Sequence, residues 1–199
     1  DDAYKGGSGT NDIQVFHFFE VSENIRTDFG ELDAFWYNSF IAISRVNKAL
    51  AALNQIDEVD FPEKSTRIAE MKFLRGHFYF MLKIMYKYVP YVTEDIPVEE
   101  YGTISNRALS NDDLWSAIAG DFEAAALALP SSQPEVGRAD KTAAYAYLAK
   151  TRLYQAYEQD ENHNVVNINQ QRLQQVVDAT ENVIGMHQLE EDFAYNFLP

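Results

Sequence analysis

Apolar residues between positions 65 and 88 recur every three to four positions, which is the period of an α-helix. A helix that is apolar around roughly two thirds of its circumference is typical of a protein interior, so we interpret its aromatic rings as core. Thr66 is predicted to cap this helix and Pro90 to end it. Its first stripe contains Met71, Leu74, Phe78, Met81, Leu82 and Met85, its second Phe73, Gly76, His77, Phe80 and Ile84, and its third, more amphipathic, Lys72, Arg75, Tyr79, Lys83 and Tyr86.

The same period predicts further helices at about 34–56, 112–129, 140–158 and 170–186. Strong β-strand alternation is absent, so the pattern predicts an all-α fold with long loops at 89–110 and 159–169. The first twelve residues are rich in glycine and serine and are predicted to be irregular. We therefore divide the chain into an N-terminal arm and loop region at 1–33 and a helical-repeat domain at 34–199.

A weak internal repeat relates two of these helices. The segment AEMKFLRGHFYF (69–80) aligns with AAYAYLAKTRLY (143–154), with alanine at the start of each. Small side chains let paired helices approach closely, so the repeat predicts tetratricopeptide-like stacked hairpins, 34–56 with 65–88 and 112–129 with 140–158. Gly76 and Ala143 are the predicted close-packing positions. The helix at 170–186 would open a third hairpin.

Composition narrows the function classes. The 199-residue chain carries 31 acidic and 16 basic residues, for a net charge of −15, which disfavours nucleic acid and anionic lipid surfaces as partners. There is no cysteine, which excludes disulfides and thiolate chemistry. No apolar run reaches the roughly 18 residues that a membrane-spanning helix needs. The four histidines show no ligand spacing, and no nucleophile or phosphate-loop motif is present, so we predict neither a metal site, a cofactor nor an enzyme.

One stretch combines aromatic rings with charged and amide side chains outside the predicted core. The segment ENIRTDFGELDAFWYN (23–38) contains Arg26, Asp28, Trp36 and Tyr37. Flat rings suit the apolar faces of sugars, and polar neighbours bond the sugar hydroxyls, so these four residues are the candidate carbohydrate-contacting edge. The alternative is that Trp36 anchors the first predicted helix to the core.

Several motifs, in order, resemble the SusD/RagB-type family. FWYNSFIAISRVNKALAAL (35–53) is similar to the family's W-x-x-x-Y/F-x-x-I-x-R-x-N-x-x-L helix, and EMKFLRGHFYFMLKIMYKYVPYVTED (70–95) to its E-x-K-F-L-R-A segment that ends in valine-proline. NDDLWSAIAGDFEAAALALP (111–130) and GRADKTAAYAYLAKTRLYQ (137–155) match the two segments that follow. Gly76 stands where the family usually has alanine, and Tyr88 where glycine is common. The resemblance covers about residues 20 to 197.

This resemblance implies a surface-exposed, lipid-anchored outer-membrane protein that binds a glycan or sometimes a peptide. Such proteins cap a SusC-like TonB-dependent transporter and take part in nutrient uptake. The chain has no lipid-bearing cysteine, and family members are considerably longer, so we expect it to be the N-terminal, repeat-bearing part of one. The alternative class is a helical-repeat scaffold that binds a protein or peptide in its concave groove. A leader with a lipobox cysteine, next to a transporter gene, would separate the two.

Overall fold

The computed structural model describes Phe18, residues 30–187 and residues 191–197. Within residues 30–187 the chain is mainly helical, which confirms the all-α prediction, and the helix ends agree with the predicted ones to within a few residues. The α-helices there are α1 (Gly30–Asn54), α2 (Lys64–Tyr86), α3 (Asn111–Ala128), α4 (Lys141–Ala156) and α5 (Gln170–Glu181). Short 3-10 helices occupy Val98–Thr103 and Phe193–Phe197.

The predicted loop at 159–169 is wrong, because a small antiparallel hairpin lies there. Strand β1 (Tyr157–Gln159) follows α4 directly and pairs with β2 (Val165–Ile168). The turn between them is closed by the carboxylate of Asp160, which accepts hydrogen bonds from the backbone N–H groups of Asn162 (2.8 Å) and Asn164 (2.9 Å). Such local side-chain bonds favour turns, and valine and isoleucine favour the strand that follows.

The ends of α2 also differ from prediction. Thr66 does not cap the helix, which already begins at Lys64, and Glu63 before it makes no side-chain capping bond. The helix ends at Tyr86, four residues before Pro90, and the next residue, Lys87, has a positive φ of 61°. The later helices are capped by side chains that accept a backbone N–H bond, namely Ser110 for α3, Asp140 for α4 and Asn169 for α5.

The chain divides into two compact units, Asp1–Ala42 and Ile43–Pro199. In the second unit α2, α3, α4 and α5 pack in chain order, each mainly against the next. The predicted pairing of helices 112–129 and 140–158 is thus confirmed, whereas the pairing of 34–56 with 65–88 stays a prediction. Where α2, α3 and α4 meet, the core contains a hydrophobic cluster of four alanines and one leucine, Ala69, Ala125, Ala126, Ala144 and Leu129.

The two aligned alanines of the repeat are not equally buried. Ala69 of α2 is fully buried, whereas Ala143 of α4 is half-buried and the next residue, Ala144, is fully buried. Burial therefore places Ala144, rather than the predicted Ala143, at the tightly packed position near the start of α4.

The stripes of α2 are distributed differently from the prediction. The amphipathic third stripe supplies three buried side chains, Arg75, Tyr79 and Lys83, whereas Leu74 and Met81 of the first stripe are exposed. Periodicity identified the apolar positions but could not show that the polar heads of the third stripe have buried partners. The core interpretation is correct for the rings of Tyr79 and Phe80, while Phe73, Phe78, Tyr86 and Tyr88 are half-buried.

Arg75 is the centre of a buried polar cluster. Its guanidinium donates two hydrogen bonds to the carboxylate of Asp121 on α3 (2.7 and 2.8 Å), one to Asn47 Oδ1 on α1 (3.1 Å) and one to Glu94. Tyr91 also donates to Asp121 (2.7 Å). Burial alone would lower the pKa of Arg75, but the hydrogen bonds and charge of Asp121 outweigh it and raise that pKa. The cluster therefore joins three helices and the segment after α2.

Replacing Asp121 tests this cluster. Asp121→Asn leaves the buried guanidinium of Arg75 short of negative charge, and we expect it to lower the free energy of unfolding by about 3 kcal/mol, measured by urea denaturation. The control is Glu161→Gln, which breaks the exposed 3.0 Å ion pair with Arg107 and should have a much smaller effect. Equal effects of the two substitutions would contradict the central role of the Arg75 cluster.

Alkaline pH tests the same cluster. Burial raises the pKa of Tyr79 and, with the Asp121 charge beside it, that of Tyr91. Above the ordinary tyrosine pKa of about 10 the unfolded chain loses phenolic protons that the folded chain keeps, so stability falls as pH rises from there. We expect Tyr91→Phe to reduce the fall in the free energy of unfolding between about pH 9.5 and 11, measured by urea denaturation at each pH. An unchanged slope would show that Tyr91 titrates normally.

Gly76 lies at a close contact between α2 and α3. A Cβ atom at Gly76 would lie 3.0 Å from Cζ of Phe122, whose ring is fully buried and stacked on Tyr147 at 5.1 Å between centroids. This separation is tighter than ordinary van der Waals contact. Glycine in place of alanine thus makes room for the ring of Phe122, as close packing at this position requires.

We expect Gly76→Leu to lower the free energy of unfolding by about 1–3 kcal/mol, because the added side chain overpacks the contact with Phe122. Gly120→Ala on α3 is the matched control, since a Cβ there meets nothing within 4 Å. It should instead raise stability by about 0.5–1 kcal/mol through lower backbone entropy of the unfolded chain. Thermal and urea melts measure both. A Gly76→Leu protein as stable as its parent would refute the close contact.

Candidate functional site

Tyr37 on α1 is the exposed ring of the predicted carbohydrate-contacting edge. Glu31 and Asp33 lie in the first turn of α1, where acidic side chains stabilise the positive end of the helix dipole. The side chain of Tyr37 is 64% exposed, and Asp33 and Asn38 are also exposed. Residues four apart on a helix share a face, so Asp33 lies one turn before Tyr37 on the same side.

Trp36 is placed differently from its neighbour. It is half-buried, and its ring lies 4.9 Å from that of Phe40 at an interplanar angle of 42°. Such tilted contacts between rings stabilise packing. Arg26 and Asp28, the other two predicted site residues, lie outside the described residues.

The exposed side of α1 offers one flat ring and two kinds of polar group to which a sugar can bind. The ring of Tyr37 offers an apolar face and a phenolic hydroxyl, Asp33 offers acceptors, and Asn38 offers both a donor and an acceptor. Composition pointed to Tyr37, and the four-residue helical spacing adds Asp33, while Asn38 is the exposed residue next to Tyr37 in the chain.

A second candidate feature is a groove of about 330 Å³ between α3, α4 and α5. Its apolar lining comes from Tyr145, Leu148 and Ala179. Its polar lining residues are Glu123, Arg152, Gln175, Asp178 and Asn182. The groove lies in the stacked helices of the second unit, where helical-repeat proteins commonly bind their partners.

Arg152 is the most deeply buried charge in this groove, with a side chain only 12% exposed. It donates a hydrogen bond to Gln155 Oε1 (2.7 Å), and the carboxylate of Glu123 is 3.9 Å away. Burial, together with the nearby charge of Arg172, lowers the pKa of Arg152. The guanidinium can therefore bind an additional carboxylate or carbonyl oxygen. No sequence spacing predicted this groove, because three separate helices build it.

Among the described residues, none of the helices combines the length and apolar character that crossing a bilayer requires. The same residues contain no group of three or more histidine, aspartate or glutamate side chains placed to hold a metal ion.

Comparison with known proteins adds the following. The SusD-like family model, described as starch-binding and associating with the outer membrane, matches residues 5–153. A solved SusD-like protein from Bacteroides fragilis NCTC 9343 is 25% identical over 79% of this chain, with a TM-score of 0.62. A laminarin-binding SusD-like protein is 26% identical over 76% of this chain, with a TM-score of 0.59. No curated protein sequence matches the chain.

A SusD homolog from Bacteroides thetaiotaomicron VPI-5482 shares the fold over 96% of this chain, with a TM-score of 0.73 at 18% identity. The matched regions are only part of these proteins. They amount to 28% of the Bacteroides fragilis protein, 30% of the laminarin-binding protein and 36% of the Bacteroides thetaiotaomicron protein. The chain thus spans about a third of the length of these relatives.

Proposed function

The chain belongs to the SusD-like family, and on that premise we propose that it binds an oligosaccharide and presents the exposed edge of α1 to it. The observation that carries this proposal is the exposed ring of Tyr37 beside Asp33 and Asn38. Trp36, Arg26 and Asp28 complete the proposed edge. The laminarin-binding relative supports a glucan as the first ligand to test.

The charge of the chain is compatible with this choice of ligand. A net charge of −15 repels polyanions, whereas neutral glycans pay no such electrostatic penalty. Binding would depend on ring contacts and directed hydrogen bonds, which act at short range.

The full-length protein would act at the cell surface, anchored by a lipid in the outer membrane and paired with a SusC-like TonB-dependent transporter. The family description, which includes association with the outer membrane, supports this part of the proposal. A lipobox cysteine in a leader and a transporter gene beside this one would be expected. Copurification of the two full-length proteins tests the pairing.

Protein or peptide binding is the second candidate function, and the groove between α3, α4 and α5 favours it. Arg152 at its base is suited to a peptide carboxylate or carbonyl group, while Asp178 and Asn182 can bond backbone N–H groups. A peptide ligand would be sensitive to Arg152→Met, whereas a glycan bound at the edge of α1 would not.

Tyr37→Ala tests the glycan proposal. Stacking one sugar on a ring contributes on the order of 1 kcal/mol, so we expect the substitution to weaken binding several-fold without abolishing it. Isothermal titration with laminarin and starch oligosaccharides measures the change. The control is Tyr195→Ala, which removes a ring of similar exposure (56%) elsewhere in the chain and should leave affinity unchanged.

The melting temperature of each variant separates the two interpretations of Trp36. A Trp36→Ala protein that folds normally and binds several-fold more weakly supports a sugar contact. One that melts far below its parent identifies Trp36 as a packing anchor. If Tyr37→Ala folds normally and binds every glycan as the parent does, the edge of α1 is not the binding site.

A further inference from the structure

A smaller pocket lies in the second unit, where the end of α2, the start of α3 and the β1–β2 hairpin meet. Its volume is about 190 Å³, which is below the range of about 300–1,000 Å³ typical of pockets for drug-sized ligands. We call it the Lys83 pocket. Its principal lining residues are Lys83, Lys87, Asn111, Trp115, Tyr154 and His163.

The inner wall of the pocket holds a buried ammonium group. Lys83 is only 3% exposed, and its Nζ donates to the backbone oxygen of Lys87 (2.7 Å) and to Asn111 Oδ1. The same atom lies 5.1 Å from the ring centroid of Trp115. Both acceptors are neutral, so neither of them neutralises the positive charge of Lys83, and an ammonium group has a third N–H to donate. Burial, and then the charge of Lys87, lowers the pKa of Lys83 to about 8, so the group is largely cationic at neutral pH.

The pocket has a charge opposite to that of the chain. Its remaining ionisable lining residues, apart from the phenol of Tyr154, are Lys87 and His163, and none of the lining residues is a carboxylate. The chain has a net charge of −15, so three basic side chains around one small cavity reverse the sign of the charge locally. A cavity with charges of one sign concentrates ligands of the other sign.

The carboxylates around the pocket already have partners. Glu161 is bonded to Arg107 (3.0 Å) and accepts the hydroxyl of Tyr88 (2.8 Å). Asp160 closes the hairpin turn through backbone N–H groups. Asp112 accepts a hydrogen bond from Gln155 (2.8 Å) and lies 3.5 Å from Arg172. Among the described residues, Lys83 and Lys87 therefore form no ion pair with a carboxylate, although the charge of Asp112 acts on Lys83 and Lys87 Nζ donates to the backbone oxygen of Asp160.

Aromatic rings form another wall of the pocket. The rings of Trp115 and Tyr154 lie 5.7 Å apart at an interplanar angle of 33°, and Tyr154 is partly open to solvent. A ligand that satisfies both walls combines a carboxylate with a compact ring that has an apolar face. The volume accommodates one such ring.

We propose that the Lys83 pocket binds a single carboxylate-bearing sugar unit, such as a uronate. The carboxylate would accept hydrogen bonds from Lys83 and Lys87, and the sugar ring would lie against Tyr154. This site is separate from the edge of α1 and does not depend on the function proposed for that edge.

Titration with a matched pair of small ligands tests the proposal. Methyl glucuronoside and methyl glucoside differ only in the carboxylate, and sodium acetate supplies the carboxylate without the ring. We expect the glucuronoside to bind roughly tenfold more tightly than either of the others, because it alone engages both walls. Isothermal titration and amide chemical shifts around Lys83 and Trp115 report the binding.

Substitutions locate the site. Lys87→Gln and Tyr154→Leu should each weaken glucuronoside binding several-fold. Lys48→Gln removes one exposed positive charge from α1 and is the matched control, which should leave the affinity unchanged. Tyr37→Ala should also leave it unchanged, so this proposal and the one for the edge of α1 can fail separately.

Several results would overturn the proposal. Absence of glucuronoside binding at millimolar concentration would do so, as would equal affinity for the glucoside. Acetate that matches the glucuronoside would show a simple anion site, without a contribution from the ring. Unchanged affinity in both Lys87→Gln and Tyr154→Leu, with folding verified by circular dichroism, would place any binding elsewhere.

Discussion

The buried guanidinium of Arg75 is the interaction on which the arrangement of the second unit depends. A charge removed from water has to be paired, and here the partners come from α1, α3 and the segment after α2. The helices cannot shift relative to one another at this level without leaving one of these groups unsatisfied. Asn47 extends the constraint, since its amide also donates to the backbone oxygen of Val92 (3.1 Å). The long irregular segment after α2 is fixed by polar bonds where it has no helix to order it.

Sequence periodicity predicted where the helices lie but not which of their faces are buried. The helices between residues 30 and 187 appear in the predicted order, since an apolar residue every three to four positions is typical of an α-helix with one buried face. The apolar stripes of α2 were less informative, because Arg75 and Lys83 are buried although their side chains are charged. Only the partners on other elements make that burial favourable, and a pattern within one helix does not contain them. The hairpin after α4 was missed because its two strands are short.

The candidate sites differ in how far sequence could predict them. Local composition singled out the stretch that contains Tyr37, because its ring and its polar neighbours are close in the chain. The groove at Arg152 combines residues from three helices, and the pocket at Lys83 combines residues from three helices and the hairpin. Their chemistry becomes recognisable only when the helices are stacked. Lys83 in particular is an ordinary helix lysine until α3 and the hairpin surround it.

The linear stacking of α2 to α5 has a consequence for local motion. In a stack where each helix mainly contacts the next, stability is approximately a sum of nearest-neighbour terms, and among the described residues α5 has one such neighbour, α4, whereas α3 has two. Amide hydrogens of α5 should therefore exchange with solvent through partial opening, while those of α3 exchange only when the whole stack opens. The groove floor at Arg152 belongs to α4, but one of its walls is α5. The shape of the groove thus depends on α5, the less protected helix. A ligand that contacts both α4 and α5 would slow the amide exchange of α5 first.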